Sequence, residues 1–96
     1  MKPSQALTAN RSAIRAIVAE HHASNPCVFG SAARGQDTEE SDLDILIDPT
    51  RETSLFDIGA MRHKLRELLG VTVDVITPNG LPDSFRGAVL AEASPI

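Results

Sequence analysis

Three strand-like runs, Cys27–Phe29, Ser41–Asp48 and Val71–Thr77, alternate along the chain with longer segments whose apolar residues recur every three or four positions. That alternation confines the sequence to a layered α/β (α+β) fold, a small mixed sheet of about three strands with helices packed against it. Helical periodicity is clearest from Ser54 to Leu69, where Leu55, Ile58, Met61, Leu65, Leu68 and Leu69 form a stripe. Ser54 suits an N-cap there, and Gly70 stands where a helix end favours glycine. A first helix is expected over Ser4–His22, with Leu7, Ile14, Ile17 and Val18 on one side, stopped by the turn-forming Ser24-Asn25-Pro26. One helical turn over residues 31–36, with Ser31 as its N-cap and Gly35 closing it, follows the first strand. A last helix from Pro82 to Ala93 places Phe85, Ala88, Val89 and Glu92 at helical spacing and completes the order α-β-α-β-α-β-α. With 96 residues there is room for one core, so residues 1–96 are expected to form one domain.

Charge and composition exclude several classes of function. Thirteen Asp and Glu against nine Lys and Arg leave a net charge of −4, and the only aromatic residues are Phe29, Phe56 and Phe85. The chain lacks both the basic face of a general nucleic-acid binder and a stacking platform for single strands, so no direct nucleic-acid contact is expected. Its single cysteine, Cys27, cannot form an internal disulfide and reads as a small buried hydrophobe. No stretch approaches the roughly 18 apolar residues that span a bilayer, and residues 1–17 lack the apolar core of a signal peptide. A cytoplasmic protein without membrane contact is the expectation.

Chemistry concentrates in a few positions. Asp42 and Asp44 are separated by one residue on a predicted strand, so both carboxylates leave one face with Cα atoms about 6.6 Å apart. An isolated Asp-x-Asp often does no more than face water. Here Glu39, Glu40 and Asp48 share the stretch, residues 36–48 hold no Lys or Arg, and a cation would relieve the repulsion. Oxygen ligands so arranged suit a hard divalent ion such as magnesium. An EF-hand is excluded, because Ile45, Leu46 and Ile47 follow where its loop needs polar ligands. Asp74 interrupts a β-branched strand and is costly to bury unless paired or metal-bound. If its strand lies beside 42–47, Asp74 converges on the other two; otherwise it faces solvent. Gly30 ends the first strand, Ser31 follows, and Arg34 is one turn on, a combination able to hold an anion.

Together, Gly30-Ser31-Ala32-Ala33-Arg34-Gly35, Ser41-Asp42-Leu43-Asp44-Ile45-Leu46 and Val73-Asp74-Val75-Ile76 resemble the polymerase-beta-type nucleotidyltransferases, and more narrowly the minimal nucleotidyltransferases of the MntA-like antitoxin type. The resemblance implies a palm-like fold and an adenylyltransferase that moves AMP from ATP onto a hydroxyl, a tyrosine of a HEPN-type RNase toxin. It implies two magnesium ions held by Asp42 and Asp44, with Asp74 completing one of them, and a triphosphate gripped by Gly30, Ser31 and Arg34. An antitoxin that neutralises its partner by binding alone, and a transferase acting on a small molecule or RNA end, are the competing expectations. The residues themselves support only an acceptor supplied by another molecule.

Other chemistry-bearing residues read as structural. His21 and His22 end the first helix, His63 is a solvated or interface residue, and Arg62, Lys64 and Arg66 form a charged helix face.

Overall fold

The computed structural model describes all 96 residues, Met1 to Ile96. Its elements are α1 (Pro3–Ala9), α2 (Arg11–Glu20), β1 (Ala23–Phe29), β2 (Leu43–Pro49), α3 (Leu55–Leu69), β3 (Val73–Ile76), α4 (Asp83–Glu92) and β4 (Ser94–Pro95). The sheet runs β3-β2-β1-β4, with β2 and β3 parallel and β1 antiparallel to both β2 and β4. Helix α3 makes the crossover that a parallel pair requires.

Helix α3 follows from its sequence. Ser54 and Asp57 form a reciprocal capping box, and Gly70 takes the left-handed conformation at φ 68° that ends the helix. Met61, Leu65 and Leu69 are its buried stripe, whereas Leu55, on the first helical residue, is 85% exposed.

Four features differ from the sequence expectation. The first helix is broken at Asn10, whose side chain donates to the Ala6 carbonyl at 2.8 Å while its own carbonyl accepts from Ile14 N. Asparagine competes locally for backbone groups in this way, which makes it a poor interior helix residue. Ser24-Asn25-Pro26 lies inside β1, where the register with β2 shifts between Ser24 and Cys27 and Asn25 adopts φ 52°. This is an irregularity within the strand rather than a stop before it, and Cys27 is consequently only partly buried. Ser94–Pro95 adds a fourth strand opposite Val28 and Cys27, too short to carry a periodicity. Lastly, Phe85 is about half exposed and Ala88 is exposed, leaving Val89 as the one buried residue of α4.

The sheet separates two apolar clusters. Leu43, Ile45, Ile47, Val28 and Val73 pack with α1, α2 and α3 in the main core, and Phe29 and Leu46 pack with Leu81 and Val89 on the opposite face. The chemistry lies on that second face.

Candidate active site

The parallel register of β2 and β3 pairs Asp44 with Asp74, and the antiparallel register of β1 and β2 pairs Asp44 with Phe29. Because alternate residues share a face, Asp44 and Asp74 stand side by side while Leu43, Ile45 and Val73 enter the core behind them. Asp42 is exposed and lies one residue before β2 begins, so it belongs to the entry of the strand rather than to the strand. Its charge still reaches Asp44. Burial, then the charges of Asp74 and Asp42, raise the Asp44 carboxyl above its ordinary value, with Arg34 opposing and Glu92 adding to the rise.

Gly30 follows β1 at φ +77°, and a Cβ placed on it would lie 2.5 Å from Asp44 Oδ2. Only glycine satisfies both the left-handed backbone and that approach. Residues 31–36 do not form a helix. Ala33 N and Arg34 N donate to the Gly30 carbonyl at 3.1 and 3.2 Å, so Gly30 occupies the place expected of Ser31. Gln36 N donates to Ser31 O and Gly35 N to Ala32 O, with Gly35 at φ +71°; Gly35 therefore closes the turn as expected. Ser31 is half-buried beside Gly30, and Arg34 is exposed.

Two partners of this site, and one buried acid outside it, were not legible in the sequence. Glu92, the last residue of α4, accepts from Gly30 N at 3.0 Å and from Arg34 Nη1 at 2.5 Å. These bonds hold its carboxyl below the usual range. An acid at a helix C-terminus opposes the dipole, and that misfit is the one sequence signal that could have marked it. Arg66 leaves the charged face assigned to it: Nε donates to the Val73 carbonyl at 3.1 Å, and Nη2 lies 3.8 Å from Asp74 Oδ1. Lys64 of that face lies 3.9 Å from Glu20, and the neighbouring His63 2.8 Å from Glu67. Asp37, expected in a solvated acidic loop, is buried and accepts from Ser4 N at 2.8 Å and Ser4 Oγ at 3.0 Å, capping α1. His21, at the end of α2, has Nδ1 within 2.8 Å of the Ile17 carbonyl.

The donor set fits magnesium in kind: oxygen ligands only, on one face, with repulsion left unrelieved at Asp44. No three such side chains close into a cage. An ion held there would keep water or phosphate oxygens among its ligands, which is magnesium's usual habit. None of the three aspartates lines the cavity of about 200 Å³ that Ser4, Leu7, Thr8, Arg11, Val28 and Ser94 help to form. Asp42 is exposed and the Asp74 side chain about half exposed, whereas Asp44 is partly buried.

Residues 12–95 match the family model described as Nucleotidyltransferase domain. A Methanocaldococcus jannaschii protein named as a candidate protein adenylyltransferase is 36% identical over 77 residues, 80% of this chain and 83% of its own length. Protein adenylyltransferase MntA of Thermococcus cleftensis is 38% identical over 65 residues, 68% of this chain and 66% of its own. A solved structure described as a candidate minimal nucleotidyltransferase superposes with a TM-score of 0.87 at 40% identity, covering 97% of this chain and 95% of that one. The crystal structure of a toxin–antitoxin with AMP-PNP superposes at 0.75 with 18% identity over 90% of this chain and 71% of that one, a likeness of fold.

Proposed function

As this chain belongs to the nucleotidyltransferase domain family, we propose that it transfers AMP from ATP to a hydroxyl of a partner protein, a tyrosine of a HEPN-type RNase toxin, and so acts as an antitoxin. The observation that carries the reading is the Asp44–Asp74 pair in parallel register beneath Gly30, two carboxylates set against a turn able to hold phosphate. The toxin partner is supported by the fold shared with the toxin–antitoxin structure and by the exposure of Asp42 and Asp74 beside the partly buried Asp44.

In this reading Asp42 and Asp44, with Asp74, would hold two magnesium ions. When bound, the metal neutralises triphosphate charge and lowers the pKa of the acceptor hydroxyl. The Gly30–Gly35 turn grips the terminal phosphates through Ser31 and backbone N–H groups, with Arg34 adding charge. Asp74, at the edge strand, accepts the proton of the attacking hydroxyl. The acceptor oxygen forms a bond to the α-phosphorus as the bond to the bridging oxygen breaks, and pyrophosphate leaves. The chain's contribution is position and electrostatics rather than a covalent intermediate.

The test is intact-mass analysis of a purified HEPN-type RNase after incubation with this protein, ATP and magnesium. Increments of one AMP are expected with the native chain and none with Asp44→Asn. Equal labelling by both proteins would remove the carboxylates from the mechanism. Protection from the RNase by an unlabelling Asp44→Asn would instead establish neutralisation by binding alone.

A further inference from the structure

We propose that Glu92 is a positioning residue that staples the two ends of the Gly30–Gly35 turn and so sets Ser31 and Arg34 for the nucleotide. This rests on the reading of that turn as the phosphate-binding element. One carboxylate spans the turn: Oε2 accepts from Gly30 N at 3.0 Å and Oε1 from Arg34 Nη1 at 2.5 Å. On its other side Arg34 Nε donates to Gln36 Oε1 at 3.1 Å, so the guanidinium is braced from two directions and keeps its remaining N–H groups free for a ligand.

The placement of Glu92 is unfavourable on every count except these two bonds. It lies at the negative end of the α4 dipole and close enough to Asp44 to raise that residue's proton affinity. Charge-assisted hydrogen bonds to Gly30 and Arg34 offset both costs. The Gly30 amide and Glu92 are each partly buried, so loss of the carboxylate would leave a donor short of its partner. The staple also reaches the carboxylates, because Gly30 is in contact range of Asp44 Oδ2 and any drift of the turn disturbs that approach. Glu92 thereby ties α4 to both halves of the site.

Titration calorimetry of ATP with magnesium against the native chain, Glu92→Gln, Arg34→Ala and the double variant separates the possibilities. Glu92→Gln keeps the shape and removes the charge; its Kd is expected to rise about tenfold, the scale of one charge-assisted hydrogen bond. That loss should shrink in the Arg34→Ala background, because one of the staple's two arms is then already gone. Glu92→Asp, with its charge on a shorter arm, should recover part of the affinity. Unchanged or tighter binding by Glu92→Gln would overturn the proposal and make Glu92 a mere occupant of the phosphate donors. The same loss with and without Arg34 would overturn it as well. No affinity of the native chain for ATP would overturn the functional reading instead. The staple is then decided by exchange of the Gly30 amide: faster exchange in Glu92→Gln supports it and unchanged exchange ends it.

Discussion

The two faces of the central sheet share a backbone and do opposite things. On one, Leu43, Ile45, Ile47 and Val73 are completely shielded beneath α1, α2 and α3. On the other, Phe29, Leu46, Leu81 and Val89 make a small cluster, Asp44 precedes Leu46 on that face of β2, and Asp74 stands beside it on β3. The strand period of two lets stability and chemistry be assigned separately at consecutive residues. Stability resides where burial is complete, while the second face gives up burial to keep two like charges adjacent.

The sharpest way to break this comparison is to change adjacent residues that face opposite ways. Asp44→Asn should lower AMP transfer by at least about a thousandfold, since electrostatic positioning is the main contribution to the rate. Its melting temperature should hold or rise by a few degrees, because a repelled, partly buried charge is removed. Ile45→Ala should do the reverse: a loss of about 2–5 kcal/mol in stability by chemical denaturation, with near-native transfer per folded molecule. If Ile45→Ala abolished transfer while remaining stable, the two faces would not be independent.

The sheet itself was legible because its determinants are local. β-branched runs, the Ser54 cap and Gly70 each carry their signal within a few residues, and Asp44 beside Asp74 needed only that β2 and β3 be neighbours. What escaped was set by distant partners. Glu92 is an ordinary helical residue until Gly30 and Arg34, 62 and 58 positions away, come to it. Asp37 looks like one more acid in an acidic loop until Ser4 is placed on it. Arg66 reads as surface charge until β3 offers the Val73 carbonyl. Asn10 differs, for its competition with the helix is local and its type already carries that signal.

A smaller perturbation sharpens the boundary between the faces. Gly30→Ala must accept a left-handed backbone costing roughly 1–2 kcal/mol and a methyl 2.5 Å from Asp44 Oδ2. The turn and Asp44 have to separate. Nucleotide affinity should therefore fall together with transfer, whereas Gly35→Ala, with nothing within 4 Å of its new methyl, should cost stability by the backbone effect alone. Equal loss of nucleotide affinity in both would mean that the contact with Asp44 is immaterial.

The smallest effect is a difference in sign. Burial raises the Asp37 carboxyl, but the hydrogen bonds from Ser4 more than reverse this and hold it below its ordinary value. The native state then binds that proton less readily than the unfolded chain, so the stability Asp37 contributes is present above the ordinary carboxylate value and lost as pH falls through the lowered one. Asp44, raised, behaves oppositely: its native state holds the proton more tightly, and stability declines as pH rises from the ordinary value through the raised one. In chelated buffer, melting temperatures of Asp44→Asn and the native chain should converge on acidification, while Asp37→Asn, less stable by about 1 kcal/mol at neutral pH as for a lost helix cap, should approach the native chain only at more acidic pH. Magnesium should narrow the neutral-pH gap for Asp44→Asn, by raising the native melting temperature, and leave that for Asp37→Asn unchanged. A gap at Asp44 that ignored both pH and magnesium would show that its carboxylate is not under the repulsion that distinguishes the second face from the first.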